Sequence, residues 1–297
     1  MSDFRLKVFY TVAKRLNFTK AAAELFITQP AVTKHIHELE KQFGVKLFER
    51  NGSRISLTPA GELLLQHATK IFAAYRDMDY EMASLSHRYS GMFRIGASTT
   101  IAQYVLPSIL AQFNKRYADI RLEMGISNTE QVEQALAADT IDLGVIEGHT
   151  KNNLFKYTRF IKDELVLVVK AGHPLVRKQA ITINELVKQP LLLREPGSGT
   201  LEVLSHALKP KGISLSDLNI EMQLGSTESM KLYIQNADVA AFLSVHSIFH
   251  ELQQNRFSII DVNGLSIERY FYFIQKKGQE GGLSELFADF AFSYNFR

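Results

Sequence analysis

Residues 28–40 read TQPAVTKHIHELE, and Pro30 stands at the front of an otherwise regular helical pattern. Proline has no N–H to donate and clashes with the preceding turn, so a helix accepts it only in its first turn. The helix is therefore predicted to start at about Thr28. From there Val32, Ile36, Leu39 and Phe43 recur at spacings of four, three and four, an apolar stripe that should face inward. The opposite face holds Gln29, Pro30, Thr33, Lys34 and His37, hydrogen-bonding or cationic residues gathered at the N-terminal end.

Upstream, Phe4, Val8, Val12 and Leu16 predict a first helix over roughly Asp3 to Arg15. Asn17 and Thr19 are cap-type residues, and TKAAAELF after them predicts a short second helix with Ala22, Leu25 and Phe26 available for the core. Helix, tight turn and helix at this spacing form a helix-turn-helix. Downstream, FGVKLFERNGSRISLTPAG places two alternating apolar runs around Asn51-Gly52, a hairpin signal with Arg50 and Arg54 beside its tip. Such a hairpin is a wing. In winged versions of the motif the third helix lies in the major groove of DNA and the wing rests on the flanking backbone or in the minor groove. The expected DNA-facing set is then Thr28, Gln29, Pro30, Thr33, Lys34 and His37 with Arg50 and Arg54. Gln29 and Thr33 would meet base edges, and Lys34, Arg50 and Arg54 would meet phosphate. A three-helix protein-interaction module would share the spacing. His35 and His37 are two apart on the helix, point to different faces and share no metal easily, so no metal site is expected there.

Charge is distributed to match. Residues 1–58 hold ten Lys or Arg against five acids, a balance of +5, so the remainder of a chain with net charge +3 carries −2. A basic head on a near-neutral body suits phosphate contacts, because affinity for nucleic acid rests largely on displaced counterions. With no Cys there are neither disulfides nor thiolate metal sites. No secretory signal or membrane-length apolar run is recognisable, and a cytoplasmic location without membrane contact is the expectation.

Thr58-Pro59 reads as an N-cap and a first-turn proline for a helix expected to reach about Arg88, before Ser90-Gly91. Within it Leu64, Ala68, Ile71, Tyr75, Met78, Met82 and Leu85 alternate at four and three, a narrow seam that a second copy of the helix would cover. Packing on the chain's own body is the alternative. A dimer would present two reading heads and so favour a two-fold inverted site.

The first part of the chain closely resembles the DNA-binding segment of the LysR-type transcriptional regulators. The likeness is carried by Phe18, Ala21-Ala22, Gln29-Pro30-Ala31, Ile36, Leu39-Glu40, Gly44, Leu47-Phe48-Glu49-Arg50 and Leu57-Thr58-Pro59-Ala60-Gly61. The resemblance implies double-stranded DNA as partner, a homodimer through the linker helix, assembly to a homotetramer, and contact with RNA polymerase.

From Met92 onward short apolar strands alternate with helices. The strands are MFRIGAS, IRLEMGIS, IDLGVIEG, LVLVVKAG, PLLLRE and VAAFLS; the helices are TIAQYVLPSILAQFNKRY, TEQVEQALAA, TLEVLSHALKP and ESMKLYIQNA. This is an α/β organisation with mostly parallel sheets, whose ligands sit beyond strand C-termini at helix N-termini. Four junctions look alike: Ser98-Thr99-Thr100, Asn128-Thr129, Gly197-Ser198-Gly199-Thr200 and Ser226-Thr227. Each is also an ordinary helix cap taken singly; four together suggest an anion-binding cleft.

REPGSGT and GSTESMK extend the resemblance to the effector domain of the same family. It implies two Rossmann-like subdomains, periplasmic-binding-protein-like, joined by crossover strands near Phe160 to Leu165 and Ser266 to Tyr270. The expected domains are 1–58 (winged helix-turn-helix), 59–89 (linker helix) and 90–297 (effector domain, subdomain I about 92–161 and 268–297, subdomain II about 162–267). A small, anionic metabolite is the expected effector, with no resident cofactor. Several relatives carry Arg after the REPGSGT-like loop where this chain has Leu201, which weakens the case for a doubly charged ligand. Arg194 is a possible compensating cation or a surface ion pair. Glu147 at a strand end would repel an anion unless it is protonated or turned away, and is suited to a hydroxyl or amine.

Two other classes fit less well. An enzyme would need a base beside Ser198, and neither a G-x-S-x-G elbow, a Walker loop nor an HExxH pair is present, His246 and His250 included. A solute-binding protein would not need the basic head.

Overall fold

The computed structural model describes residues 4–51, 54–85, 90–149, 151–178, 180–278 and 282–294, with the side chains of Arg50, Asn51, Arg54 and several residues between 73 and 85 outside that description. The chain forms two compact units, Met1–Arg88 and Tyr89–Arg297.

The first unit holds α1 (Phe4–Arg15), α2 (Phe18–Glu24), α3 (Gln29–Phe43), the hairpin β1 (Phe48–Asn51) and β2 (Arg54–Leu57), and α4 (Pro59–Leu85). Asn17 caps α2 by accepting from the Lys20 N–H at 2.9 Å. Thr28 caps α3 through the Ala31 N–H, with Pro30 in the first turn. Val8, Phe9, Val12, Ala21, Val32, Ile36, Leu39 and Leu47 form the core between the three helices and the hairpin. Each such side chain stabilises by about 1.5–3 kcal/mol when fully buried, Ala excepted.

Two residues of the expected core lie outside it. Phe43 is exposed at the end of α3, where Gly44 turns left-handed at φ 70°. Phe26 is 95% exposed: at φ 55° in the turn between α2 and α3 it points away, and Leu25 packs inward instead. The expected hairpin forms with Asn51 opposite Arg54, while Gly52 at its tip lies outside the described residues.

The run Thr58-Pro59-Ala60-Gly61 docks α4 on the entry to the hairpin. The Thr58 hydroxyl donates to the Lys46 carbonyl at 2.6 Å and accepts from the Gly61 N–H at 3.0 Å. A side-chain carbon on Gly61 would stand 2.1 Å from the Leu47 carbonyl oxygen, so glycine is what permits this crossing. Buried Glu40 ties α3 to the same spot, accepting from the Leu47 N–H at 3.0 Å and from Lys46 at 2.7 Å. Burial alone would raise the Glu40 pKa, but the Lys46 ammonium and the Leu47 N–H outweigh it and hold the carboxyl below its ordinary range. Along α4, Leu64 packs on the head and Ala68 is buried, whereas Ile71, Met78 and Met82 are exposed. The Leu85 side chain and residues 86–88 of the expected helix lie outside the described residues.

The second unit runs β3 (Gly91–Ser98), α5 (Thr99–Tyr104), α6 (Leu106–Arg116), β4 (Ile120–Ser127), α7 (Thr129–Ala137), β5 (Leu143–Glu147), β6 (Phe155–Lys170), β7 (Ala180–Ile181), α8 (Ile183–Leu186), β8 (Leu191–Arg194), α9 (Gly199–Leu208), β9 (Ile220–Leu224), α10 (Thr227–Asn236), β10 (Ala240–Ser244), α11 (Val245–Gln253), β11 (Phe257–Val262), β12 (Ile267–Lys276) and α12 (Gly282–Ser293). The single helix expected over residues 100–117 is instead two, α5 and α6, broken at Val105 because Pro107 must occupy a first turn.

The sheet order β4-β3-β5-β12-β6-β10-β8-β9 contains two parallel groups, β4-β3-β5 and β10-β8-β9. Between them β6 and β12 run antiparallel to each other, β12 pairing onto β5 of the first lobe and β6 onto β10 of the second. These two long strands are the connections between lobes. Helix α12, absent from the elements expected from sequence, closes the first lobe by packing Phe287 against Phe93, Phe113 and Phe273. The second lobe packs Leu165, Leu167, Leu191, Leu193, Phe242 and Ile260 into a core on one side of its strands and Met230, Ile234 and Ile248 into another on the opposite side.

Candidate functional site

On the first unit, the N-terminal turns of α3 present their polar face to solvent. Thr28, Gln29, Pro30, Lys34 and His37 are exposed and Thr33 is half-buried. Gln29 Nε2 donates to Thr33 Oγ1 at 3.2 Å, and the same hydroxyl donates to the Gln29 carbonyl at 3.2 Å, so the two side chains are held side by side one turn apart. Lys34 stands 4.0 Å from Glu38 with its side chain 76% exposed, a pair too open to hold it, and His37 lies 3.4 Å from Glu40. The backbones of Arg50 and Arg54 flank the hairpin tip, and their side chains lie outside the description.

On the second unit, parallel strands of both lobes end at a common cleft: Ser98 and Ser127 are register partners at the ends of β3 and β4, as are Arg194 and Leu224 at the ends of β8 and β9. The four look-alike helix starts separate into two kinds. Asn128 and Ser226 spend their side chains capping their own helices, accepting from the N–H groups of Gln131 at 3.0 Å and Ser229 at 3.5 Å. Ser98 and Ser198 make no such bond. The Ser98 hydroxyl donates across the cleft floor to Glu147, while the buried Ser198 hydroxyl has no hydrogen-bond partner.

Glu147 is the point on which the first cluster converges. Besides Ser98, it accepts from the Thr200 hydroxyl at 3.4 Å, and its backbone carbonyl accepts from Thr129 at 2.7 Å. Gly199 crosses that carbonyl so closely that a side-chain carbon would stand 1.9 Å from it. Arg269 then links both lobes to the hinge strands: Nη1 donates to Thr200 at 3.0 Å and stands 3.7 Å from Glu147, and Nε donates to Asp163 at 2.7 Å. Asp163 also accepts from the Ser244 hydroxyl at 2.7 Å. Arg269 is 4% exposed, and its Nη2 has no partner. Sequence reasoning missed Arg269 and Asp163.

Arg194 gathers the second cluster. It is 3% exposed, so it is no surface ion pair; it grips Glu195 bidentately at 2.8 and 2.9 Å. Its Nη groups reach Thr99 of the first lobe at 3.2 Å and Thr227 of the second at 3.5 Å. Thr100 is buried beside Thr99 on α5.

At the cleft's two edges the lobes are clasped. Asn128 Nδ2 donates to the Pro196 carbonyl at 3.3 Å and the Glu130 N–H to the Gly197 carbonyl at 3.1 Å, which engages the Gly197 loop. At the other edge the Tyr104 hydroxyl donates to Glu228, and Lys231 lies 3.0 Å from Glu228, 2.7 Å from Glu251 and 3.3 Å from the Tyr104 hydroxyl. Burial and the Glu228 carboxylate push the Tyr104 hydroxyl pKa far up. Burial would raise Glu228, but Tyr104 and Lys231 outweigh it and hold that carboxyl below its usual range.

Among the described residues no group of three or more His, Cys, Asp or Glu converges to hold a metal ion, and no helix is long and apolar enough to cross a membrane.

A basic winged helix-turn-helix followed by a two-lobed α/β cleft defines a ligand-responsive DNA-binding regulator. Residues 4–62 match the bacterial regulatory helix-turn-helix protein, lysR family, and residues 86–293 match the LysR substrate binding domain. The chain belongs to the LysR family of transcriptional regulators, DNA-binding proteins that form oligomers and are not enzymes. It is 34% identical over 269 residues to the HTH-type transcriptional regulator CysL of Bacillus subtilis, covering 91% of this chain and 89% of CysL. It is similar in fold to CrgA, a LysR-type transcriptional regulator from Neisseria meningitidis, with TM-score 0.66, 19% identity and coverage of 99% and 98% of the two chains. The regulatory domain of Synechocystis PCC6803 CcmR, solved in complex with 2-PG, matches at TM-score 0.63 and 24% identity over 69% of this chain and 97% of that one.

Proposed function

We propose that the exposed face of α3 reads one half of an inverted repeat in double-stranded DNA, with Gln29 and Thr33 at base edges and Thr28, Pro30, Lys34, His37, Arg50 and Arg54 around them. The exposed seam Ile71, Met78 and Met82 of α4 pairs two copies, and two such dimers make the tetramer that meets RNA polymerase on the DNA, in the cytoplasm. Effective concentration then multiplies two weak half-site affinities.

The effector on this reading is a small anion held between the lobes by the clusters around Glu147 and Arg194, with Ser98, Thr99, Thr100, Asn128, Thr129, Gly197, Ser198, Gly199, Thr200, Ser226 and Thr227 forming its surroundings. One observation carries it: Arg269, buried on every side, keeps a guanidinium nitrogen without a partner. An unsatisfied buried charged donor costs on the order of 1–3 kcal/mol, which a carboxylate-bearing ligand would recover. The floor sets two arginines, Arg194 and Arg269, against Glu147, Asp163 and Glu195. That balance, two positive charges against three negative, disfavours a doubly charged anion, in keeping with Leu201. The regulatory domain of CcmR, similar in fold, was solved in complex with 2-PG, which supports a ligand for this domain.

Coupling requires the ligand to bind one arrangement of the lobes better than another. A thermal-shift screen of small organic and inorganic anions tests the cleft: one anion should raise the melting temperature of the wild type and fail to do so in Thr100→Val/Thr227→Val. A response unchanged in that variant rejects the assigned cleft.

A further inference from the structure

Two buried groups of the central cleft are left with hydrogens to give, and a third with lone pairs to fill. Arg269 spends Nε on Asp163 at 2.7 Å and Nη1 on Thr200 at 3.0 Å, while Nη2, on the same rigid fork, has no partner. Ser198, 3% exposed, opens α9 without capping it, and its hydroxyl has no partner either. Buried Glu147 accepts from the Ser98 hydroxyl through one oxygen and from Thr200, at 3.4 Å, through the other. A carboxylate offers about four lone-pair sites, so acceptor capacity remains. The three groups stand close together. Thr200 follows Ser198 by two residues at the same helix start, and Arg269 Nη1 lies 3.7 Å from Glu147.

Their demands are opposed, and that restricts the ligand. A carboxylate satisfies the Arg269 fork but brings negative charge up to Glu147, and in buried surroundings such a repulsion is little screened. A hydrogen-bond donor beside the carboxylate replaces the repulsion with a bond. An ammonium would donate to Glu147 but has no lone pair to offer the Ser198 hydroxyl, whereas a hydroxyl donates and accepts at once. Its place is the carbon next to the carboxylate, because the fork and Glu147 are only 3.7 Å apart at their nearest charged atoms.

We infer that the effector is an α-hydroxy carboxylate, a deepening that rests on the anion reading of the central cleft. Its carboxylate accepts from Arg269 Nη2. Its hydroxyl donates to Glu147 and accepts from Ser198 Oγ. Glu147 ends β5 of the first lobe and Ser198 opens α9 of the second, so the hydroxyl, more than the charge, is the group that ties the lobes together. A ligand without it leaves Ser198 unsatisfied and Glu147 opposed by like charge, and a site built for a hydroxyl rejects the analogue that lacks one.

The test is the thermal stability and isothermal titration of the full-length protein, without DNA, using glycolate, acetate, methoxyacetate and glycine at matched ionic strength. Acetate lacks the donor, methoxyacetate keeps the oxygen but blocks its proton, and glycine puts an ammonium in place of the hydroxyl. Glycolate should raise the melting temperature with a midpoint at least about tenfold lower than that of each of the other three. In Glu147→Gln, which removes the like charge, the margin of glycolate over acetate should shrink to within about threefold. Should that variant fail to fold, Ser198→Ala, which deletes only the second partner of the hydroxyl, should narrow the same margin. A margin absent from the wild type for any of the three comparisons, or unaltered in the folded variants, would overturn the inference, and a response to acetate in that case leaves the anion reading standing. No response to any of the four would overturn it as well, and the wider screen of anions then judges the cleft by itself.

Discussion

The two units handle their polar side chains in opposite ways. On the N-terminal face of α3 the polar residues are exposed or half-buried and bonded only to near neighbours, Gln29 to Thr33 and Lys34 loosely to Glu38, so their hydrogen-bonding capacity is turned outward. In the cleft the polar residues are buried and bonded across long sequence distances, Arg269 to Asp163 and Thr200, Arg194 to Thr99 and Thr227. A groove reader must meet a large, wet, charged partner and keeps its donors available. A small-molecule site must be pre-organised and dry, and its stability depends on nearly every group being satisfied. Substitutions should therefore cost binding in the first unit and stability in the second.

The largest effect is expected at Arg269. Arg269→Met strands Asp163 and Glu147 as buried carboxylates and should destabilise the second unit by about 3–5 kcal/mol, read by calorimetry. Replacing Asp163 as well should recover part of that loss. Near-wild-type stability of the single variant would show that solvent reaches the hinge and that the cleft is not dry.

Next is Gly61→Ala, which forces a carbon against the Leu47 carbonyl and should cost the first unit roughly 1–3 kcal/mol. This is the exception that sharpens the contrast, a position in the reading head whose role is structural. Substitutions on the face itself should leave stability unchanged. Thr33→Ala and Gln29→Ala should each lose about 1–3 kcal/mol of discrimination against a wrong base pair. Lys34→Ala should weaken all DNA alike and lower the salt slope by about one. An equal loss of folded stability would place these residues in the core instead.

The smallest expected effect is on pH. Glu40 is ionised and bonded in the folded head, its pKa held below that of an unfolded glutamate. Its contribution is therefore fully present above the unfolded pKa and lost as pH falls through the lower, folded value. Acid unfolding of the first unit should become less steep in Glu40→Gln.

The head was almost entirely legible in the sequence because its signals are local: a proline fixing a helix start, a Thr-Pro cap, an Asn-Gly hairpin. Phe26 was misplaced because a positive φ in the turn, invisible to periodicity, reverses its direction. In the second unit the parallel strands and helix starts were legible for the same local reasons. Arg269 and Asp163 were not, since only the antiparallel register of β12 on β6 sets them opposite each other, 106 positions apart. Nor could spacing distinguish Ser98 and Ser198 from Asn128 and Ser226. All four look like caps, and only the three-dimensional surroundings of Glu147 and the Gly197 loop show which hydroxyls are left for other partners.

The division of labour itself is tested most directly by anisotropy titration of one duplex, selected from random DNA for binding to the full-length protein. Wild type, Gln29→Ala/Thr33→Ala and Thr100→Val/Thr227→Val are compared with and without the anion found in the stability screen. The account predicts that the first variant loses specific binding at unchanged stability, while the second binds the duplex as wild type does and no longer responds to the anion. Specific binding retained by the first variant, or lost by the second without the anion, would contradict it.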